Sequence, residues 1–163
     1  DREDLVANVL HASMYLVGPA LFIFLASLLK RLLNARHSFH NVDNYIDFLI
    51  IINLIMGLAG IAGLFLPTWQ EPLNQYAILL IVAFGVANIL FGFKLFGLSD
   101  PLKGMLKPYC FFTIATGALL ASVLLIPLGI ITGAIADVML GTIFFQAVER
   151  TESKSGEQPP PMP

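Results

Sequence analysis

Charge is what this chain has least of. Only 12% of its 163 residues are Asp, Glu, Lys or Arg, against ~25% in an ordinary soluble domain. So few charges cannot close a water-facing surface, which excludes a soluble enzyme, a secreted disulfide module and a disordered tail. Cysteine is nearly missing as well. Cys110 stands alone, so no internal disulfide and no CxxC metal or redox site can form. Of the three histidines only His11 falls in an apolar stretch, which excludes bis-histidine haem held by this chain alone. No HExxH, zinc spacing, glycine-rich phosphate loop or nucleophile–base pairing occurs, so no enzymatic activity is expected. The opening Asp1-Arg2-Glu3-Asp4 lacks the basic stretch of a secretory leader. Basic residues are scattered rather than gathered into a patch, and no nucleic-acid partner is expected.

What is present is oil. Apolar residues make up 57% of the chain, and the mean hydropathy is +0.81. These values predict an all-α, polytopic integral membrane bundle whose first partner is the lipid bilayer. A helix needs roughly 20 residues to cross ~30 Å of hydrocarbon. Residues 5–33, 45–66 and 73–96 each meet that length. The first contains Gly18-Pro19, where a kink is expected because proline removes a backbone donor. Residues 109–148 as a single helix would be about 60 Å long, roughly twice the membrane. The breaker Ile126-Pro127-Leu128-Gly129 divides them into spans 109–125 and 130–148 joined by a very tight turn. The expectation is five spans, with four spans and a broken or re-entrant last segment as the runner-up. Residues 149–163, polar and then proline-rich, read as a disordered tail after a single domain of residues 1–148.

Basic residues fix the orientation. Cytoplasmic loops carry the Lys/Arg excess. With five spans, Lys30, Arg31, Arg36, Lys94, Lys103, Lys107, Arg150 and Lys154 fall on one side, and only Arg2 falls on the other. The N-terminus is therefore expected outside and the C-terminus in the cytoplasm or its positive-side equivalent. Trp69 and Tyr76 at the outer loop, and Tyr45 and Tyr109 at inner ends, sit where aromatic rings with one polar edge favour the interface.

Small residues mark the faces that pack. Membrane helices associate where small side chains let backbones approach. Gly129, Gly133, Asp137 and Gly141 recur every four residues in span five, and Thr113, Gly117 and Ala121 do so in span four. Asn53, Gly57 and Gly60 share a side of span two, and Gly85, Asn88 and Gly92 share one of span three. These stripes face the bundle interior or a partner, either other membrane subunits or a second copy.

A few polar residues inside the spans are candidates for chemistry. A charged Asp at the bilayer centre costs at least ~2.5–3.5 kcal/mol, so Asp137 must be protonated, paired or watered. It is either a proton-exchanging carboxyl or a neutral one bonded to Asn53, Asn88 or a backbone carbonyl. Asn53 and Asn88 read first as interhelical hydrogen-bonding groups. Asp47 and Lys94 are a candidate ion pair. His11 is a candidate axial ligand for haem or a chlorin pigment, against a simpler role in interfacial hydrogen bonding; the cofactor is otherwise unknown. His37, His40 and Asp43, with Asp47 beyond, have a weak metal-ligand spacing. Cys110, at the start of span four, is either inert or palmitoylated.

Two functional readings follow. One is a non-enzymatic accessory or structural subunit of a larger membrane complex, respiratory or photosynthetic for example, held by glycine-rich faces. The other is a small oligomeric proton-coupled transporter or channel using Asp137.

Overall fold

The computed structural model describes the backbone of residues 2–37, 40–66, 68, 70–98 and 104–155, and the side chains of these apart from 2–8, 14, 36–37 and 147–155. Five helices follow in chain order: α1 (Arg2–His37), α2 (Asp43–Phe65), α3 (Gln70–Phe96), α4 (Leu106–Ala121) and α5 (Ile126–Ser155), with no strand among the described residues. Stretches Val9–Ala35, Asp43–Phe65, Gln70–Phe96 and Ile126–Gln146 are long and apolar enough to cross a membrane; α4 is apolar but only 16 residues long. Their outward faces are greasy, with Leu79, Phe93, Val138 and Phe145 more than 60% exposed. Those faces suit lipid.

Each helix packs antiparallel on the next. Tyr15 lies against Gly60 and Lys30 against Asp47, which sets α1 on α2. Gly85 meets Gly117 and Gly92 meets Ile114, which sets α3 on α4. Gly129 meets Leu120, and Thr116 meets Thr132, which sets α4 on α5. An odd number of antiparallel helices closes its ring with a parallel pair, and α1 and α5 make that seam, the least extensive of the five. One end of the ring carries the α1–α2 and α3–α4 connections with Lys30, Arg31, Lys94 and Lys107. It is called the basic end here. The other, with the α2–α3 and α4–α5 connections, is the turn end.

Two local findings differ from the sequence reading. The α4–α5 break falls at Ser122–Leu125, four residues before the expected Ile126–Gly129. Pro127 stands in the first turn of α5, where no intrahelical N–H is needed, so it starts the helix instead of breaking one. Helix α5 also runs to Ser155, so residues 149–155 are helical where a disordered tail was expected; 156–163 lie outside the described residues. Helix α1 runs on through Pro19, which the sequence reading also kept inside a single span. Pro19 cannot donate to the carbonyl of Tyr15. That oxygen lies at the α1–α2 contact, 3.1 Å from where a Cβ on Gly57 would stand, and the Pro19 ring fills the same space. Glycine at 57 is what lets the two helices meet there.

Candidate functional site

The five helices line a half-open cavity of about 380 Å³. Every helix contributes to its wall. Phe22 comes from α1, Asn53 and Met56 from α2, Ile81, Phe84 and Asn88 from α3, Tyr109, Thr113 and Thr116 from α4, and Gly129, Gly133 and Asp137 from α5. Asp137 is the only Asp, Glu, Lys, Arg or His in that lining.

Three donor groups around the cavity are committed. Thr113 Oγ1 donates to Tyr109 O at 2.9 Å, and Thr116 Oγ1 donates to Thr132 Oγ1 at 3.0 Å. Asn88 Nδ2 donates to Phe84 O at 2.8 Å, one turn back on its own helix. Asn53 Oδ1 is buried with no partner. The Asp137 carboxylate makes no hydrogen bond or ion pair among the described residues. The anticipated bonds from Asp137 to Asn53 or Asn88 are therefore not made, and neither Asn bridges two helices.

Two further spaces adjoin this one. A vestibule of about 290 Å³ at the turn end shares Met56 and Ile81 with the central cavity and has Gln70 and Asn74 in its wall. A small space of about 30 Å³ toward the basic end shares Phe22, Asn88, Tyr109 and Asp137. Beyond it the interior is filled by Leu33, Ile46, Leu95 and Ile143, each 0–1% exposed. Asp137 thus lies between the central cavity, whose wall at Met56 and Ile81 is shared with the vestibule, and a packed apolar layer.

The other sequence candidates are placed as follows. Gly57 and Gly60 lie against Pro19 and Tyr15 of α1, and Gly117 against the backbone of Gly85 and Ile89 of α3. Gly129 lies on Leu120, and Gly133 is 3.3 Å from Thr116 Cγ2 as measured to an added Cβ. Gly141 faces open space, so its stripe does not continue as a contact within the chain. His11 is exposed on α1, away from the cavity wall. Asp47 pairs with Lys30 at 2.6 Å, not with Lys94, which is exposed. His40 Nδ1 lies 3.1 Å from Asp43 Oδ2, which also accepts from Asn34 at 3.0 Å. No group of three or more potential metal ligands occurs among the described residues, and the His37 side chain lies outside them. Cys110 is wholly buried in the core, which leaves no room for an acyl chain. Tyr76 is exposed at the turn end, whereas Trp69 lies outside the described residues.

Sequence reasoning missed Tyr109, Phe22 and Phe84. Tyr109 is 6% exposed and lines the cavity instead of sitting at an interface. Its signal was there: Tyr109, Thr113 and Thr116 recur at three and four residues, a polar stripe on an apolar helix. Set against models of known families, curated proteins and solved structures, the chain matches none of them.

Proposed function

We propose that the chain crosses the bilayer five times with its basic end on the cytoplasmic side, and that it is a small proton-coupled carrier in which Asp137 binds and releases the coupling proton. The observation that carries this reading is the central cavity: a lone carboxyl, unpaired, in a space walled by all five helices. A structural aspartate would be bonded to a neighbour, because an intramembrane acid without a partner is costly. An acid that must change its protonation state needs room and a route, and the vestibule at the turn end, which shares Met56 and Ile81 with the cavity wall, is the route this reading assigns. One chain builds the whole cavity, so the reading does not require an oligomer.

The fourth crossing is short. Sixteen residues reach about 24 Å of a ~30 Å core. The following turn is accordingly apolar, and Leu124 is 90% exposed. A turn in hydrocarbon must satisfy its own amides. Ser122 N donates to Ala118 O, Val123 N to Leu120 O, Leu124 N to Ser122 O, and Leu125 N to the Ser122 hydroxyl. These bonds support a turn seated within the outer leaflet.

The test is electrical. Purified protein in proteoliposomes on a solid-supported membrane is challenged, under an imposed pH gradient, with a panel of amine, carboxylate and neutral solutes. At least one solute is expected to give a proton-coupled current with the native chain and none with Asp137→Asn. If no solute gives a current, or the variant matches the native chain, the carrier reading fails. A protein that then purifies only as a stoichiometric part of a larger particle is an accessory subunit.

A further inference from the structure

From the donor and acceptor inventory of the cavity, we infer that its ligand is an organic cation: a protonated amine on an apolar body of about a dozen non-hydrogen atoms. This rests on the reading of the Asp137 cavity as a binding site and adds the chemical class of what binds there.

Charge comes first. With no Lys, Arg or His in the wall, a carboxylate or phosphate ligand would meet only the like charge of Asp137. A cation would instead offset an unpaired carboxylate in a low-dielectric setting, where such a pairing is strongest. Hydrogen bonding points the same way. The hydroxyl protons of Thr113 and Thr116 and an amide proton of Asn88 are already given to protein acceptors. Acceptor capacity is left over on the Asp137 carboxylate and on Asn53 Oδ1, while the donors that remain in the wall, the Tyr109 hydroxyl and the side-chain amides of Asn53 and Asn88, carry no charge. An ammonium has three N–H donors and no acceptor, which complements that surplus.

Aromatic rings supply the rest of the recognition. Phe22, Phe84 and Tyr109 come from three different helices to the same space. The rings of Phe22 and Phe84 meet edge to face with centroids 5.7 Å apart. Ring faces attract cations, more so where water is excluded. The remaining wall is aliphatic, with Met56, Ile81, Leu120 and Ile130, and it suits a hydrocarbon body. At ~30 Å³ for each water-sized atom, the 380 Å³ cavity holds about a dozen.

The experiment uses the full chain in lipid nanodiscs and three probes with one carbon skeleton: 4-phenylbutylammonium, 4-phenylbutanol and 4-phenylbutanoate. Dissociation constants are measured by calorimetry. The ammonium is expected to bind at least tenfold more tightly than the alcohol, and the carboxylate not at all. Asp137→Asn, a near-isosteric change, should erase the difference between ammonium and alcohol. Phe22→Leu should weaken the ammonium several-fold and leave the alcohol unchanged. Equal affinity for ammonium and alcohol, or a preference that survives Asp137→Asn, overturns the inference. An ammonium preference without any proton-coupled current keeps the inference and removes the carrier reading. A proton-coupled current driven only by carboxylates or neutral solutes does the reverse.

Discussion

The two halves of this bundle are built from the same residue types and pack in opposite ways. Toward the basic end, Leu33, Ile46, Leu95, Leu106 and Ile143 are 0–1% exposed, and polar clasps tie α1 to α2 through Lys30–Asp47 and Asn34–Asp43. Toward the turn end, α1 leaves Val9, Leu10, Leu16 and Val17 more than half exposed, Gly18 and Gly63 face open space, and two cavities occupy the interior. In lipid no hydrophobic force drives one apolar helix onto another, so van der Waals contact and polar bonds hold the bundle. A half that has given up contact has given up its main source of rigidity. On the carrier reading proposed above, this difference assigns motion and access: the basic end is the fixed base, and the turn end is where helices part and a ligand reaches Asp137.

The largest expected effect tests that difference directly. Leu33→Ala removes a wholly buried side chain from the base. Such truncations cost about 2–5 kcal/mol in water. Here the lower end is expected, because the loss is one of packing contacts more than of transfer from water. Met56→Ala, on the wall of an existing cavity, should cost less than ~1 kcal/mol, since its neighbours already lack partners on one side. Reversible unfolding in mixed micelles measures both. Equal losses would mean that the two halves are packed alike.

A second pair of substitutions sharpens the contrast between glycines that look identical in sequence. A Cβ on Gly117 would run into the backbone oxygen of Gly85 and stand 2.9 Å from the nitrogen of Ile89. Backbone cannot swing aside as a long side chain can, so Gly117→Ala should cost about 1–3 kcal/mol. Gly141 has nothing within 4 Å of the same position. Gly141→Ala should therefore gain up to ~1 kcal/mol from helix propensity. A loss at Gly141 comparable with that at Gly117 would show that a partner chain covers Gly141.

That pair also marks how far the sequence could be read. Helical class was legible because long apolar runs leave few alternatives, and the five stretches each form a helix in the expected order. Lys30, Arg31, Lys94 and Lys107 lie at one end of the bundle, and Arg2 opens α1 at the other. Asp137 stood out because a carboxyl in an apolar run is costly wherever it points. Partners were not legible. Lys94 and Lys30 are equally plausible partners for Asp47 until the α1–α2 contact chooses Lys30. Gly117 and Gly141 recur with the same spacing, yet only one meets another backbone. Nor was the cavity legible, because it is a property of five helices together: Phe22, Phe84 and Tyr109 are ordinary apolar or interfacial residues on their own helices. The turn was misplaced because proline was read as a breaker, whereas proline is also a good helix starter. The true turn is Ser-Val-Leu-Leu, whose apolar character hides it.

The smallest expected effect lies in that turn. Val123 has φ of 61°, the only positive φ outside glycine among the described residues, and Leu124 N reaches back to Ser122 O across it at 2.6 Å. A β-branched side chain is poorly suited to this region, where an L-residue gives up about 1–2 kcal/mol. The strain persists because α4 is short and the chain must reverse within four residues to lay Gly129 on Leu120. Val123→Gly removes the clash but adds backbone freedom to the unfolded chain, worth roughly 0.5–1 kcal/mol against it. The two nearly offset, and a net gain of less than ~1 kcal/mol is expected in the same unfolding measurement. The loose half makes a further demand on this variant. If the turn end is the moving part, a more permissive turn should also speed hydrogen exchange at the last turn of α4 and the first of α5, with exchange around Leu33 unchanged. Exchange that rises equally at both ends would dissolve the distinction between a fixed base and a mobile mouth.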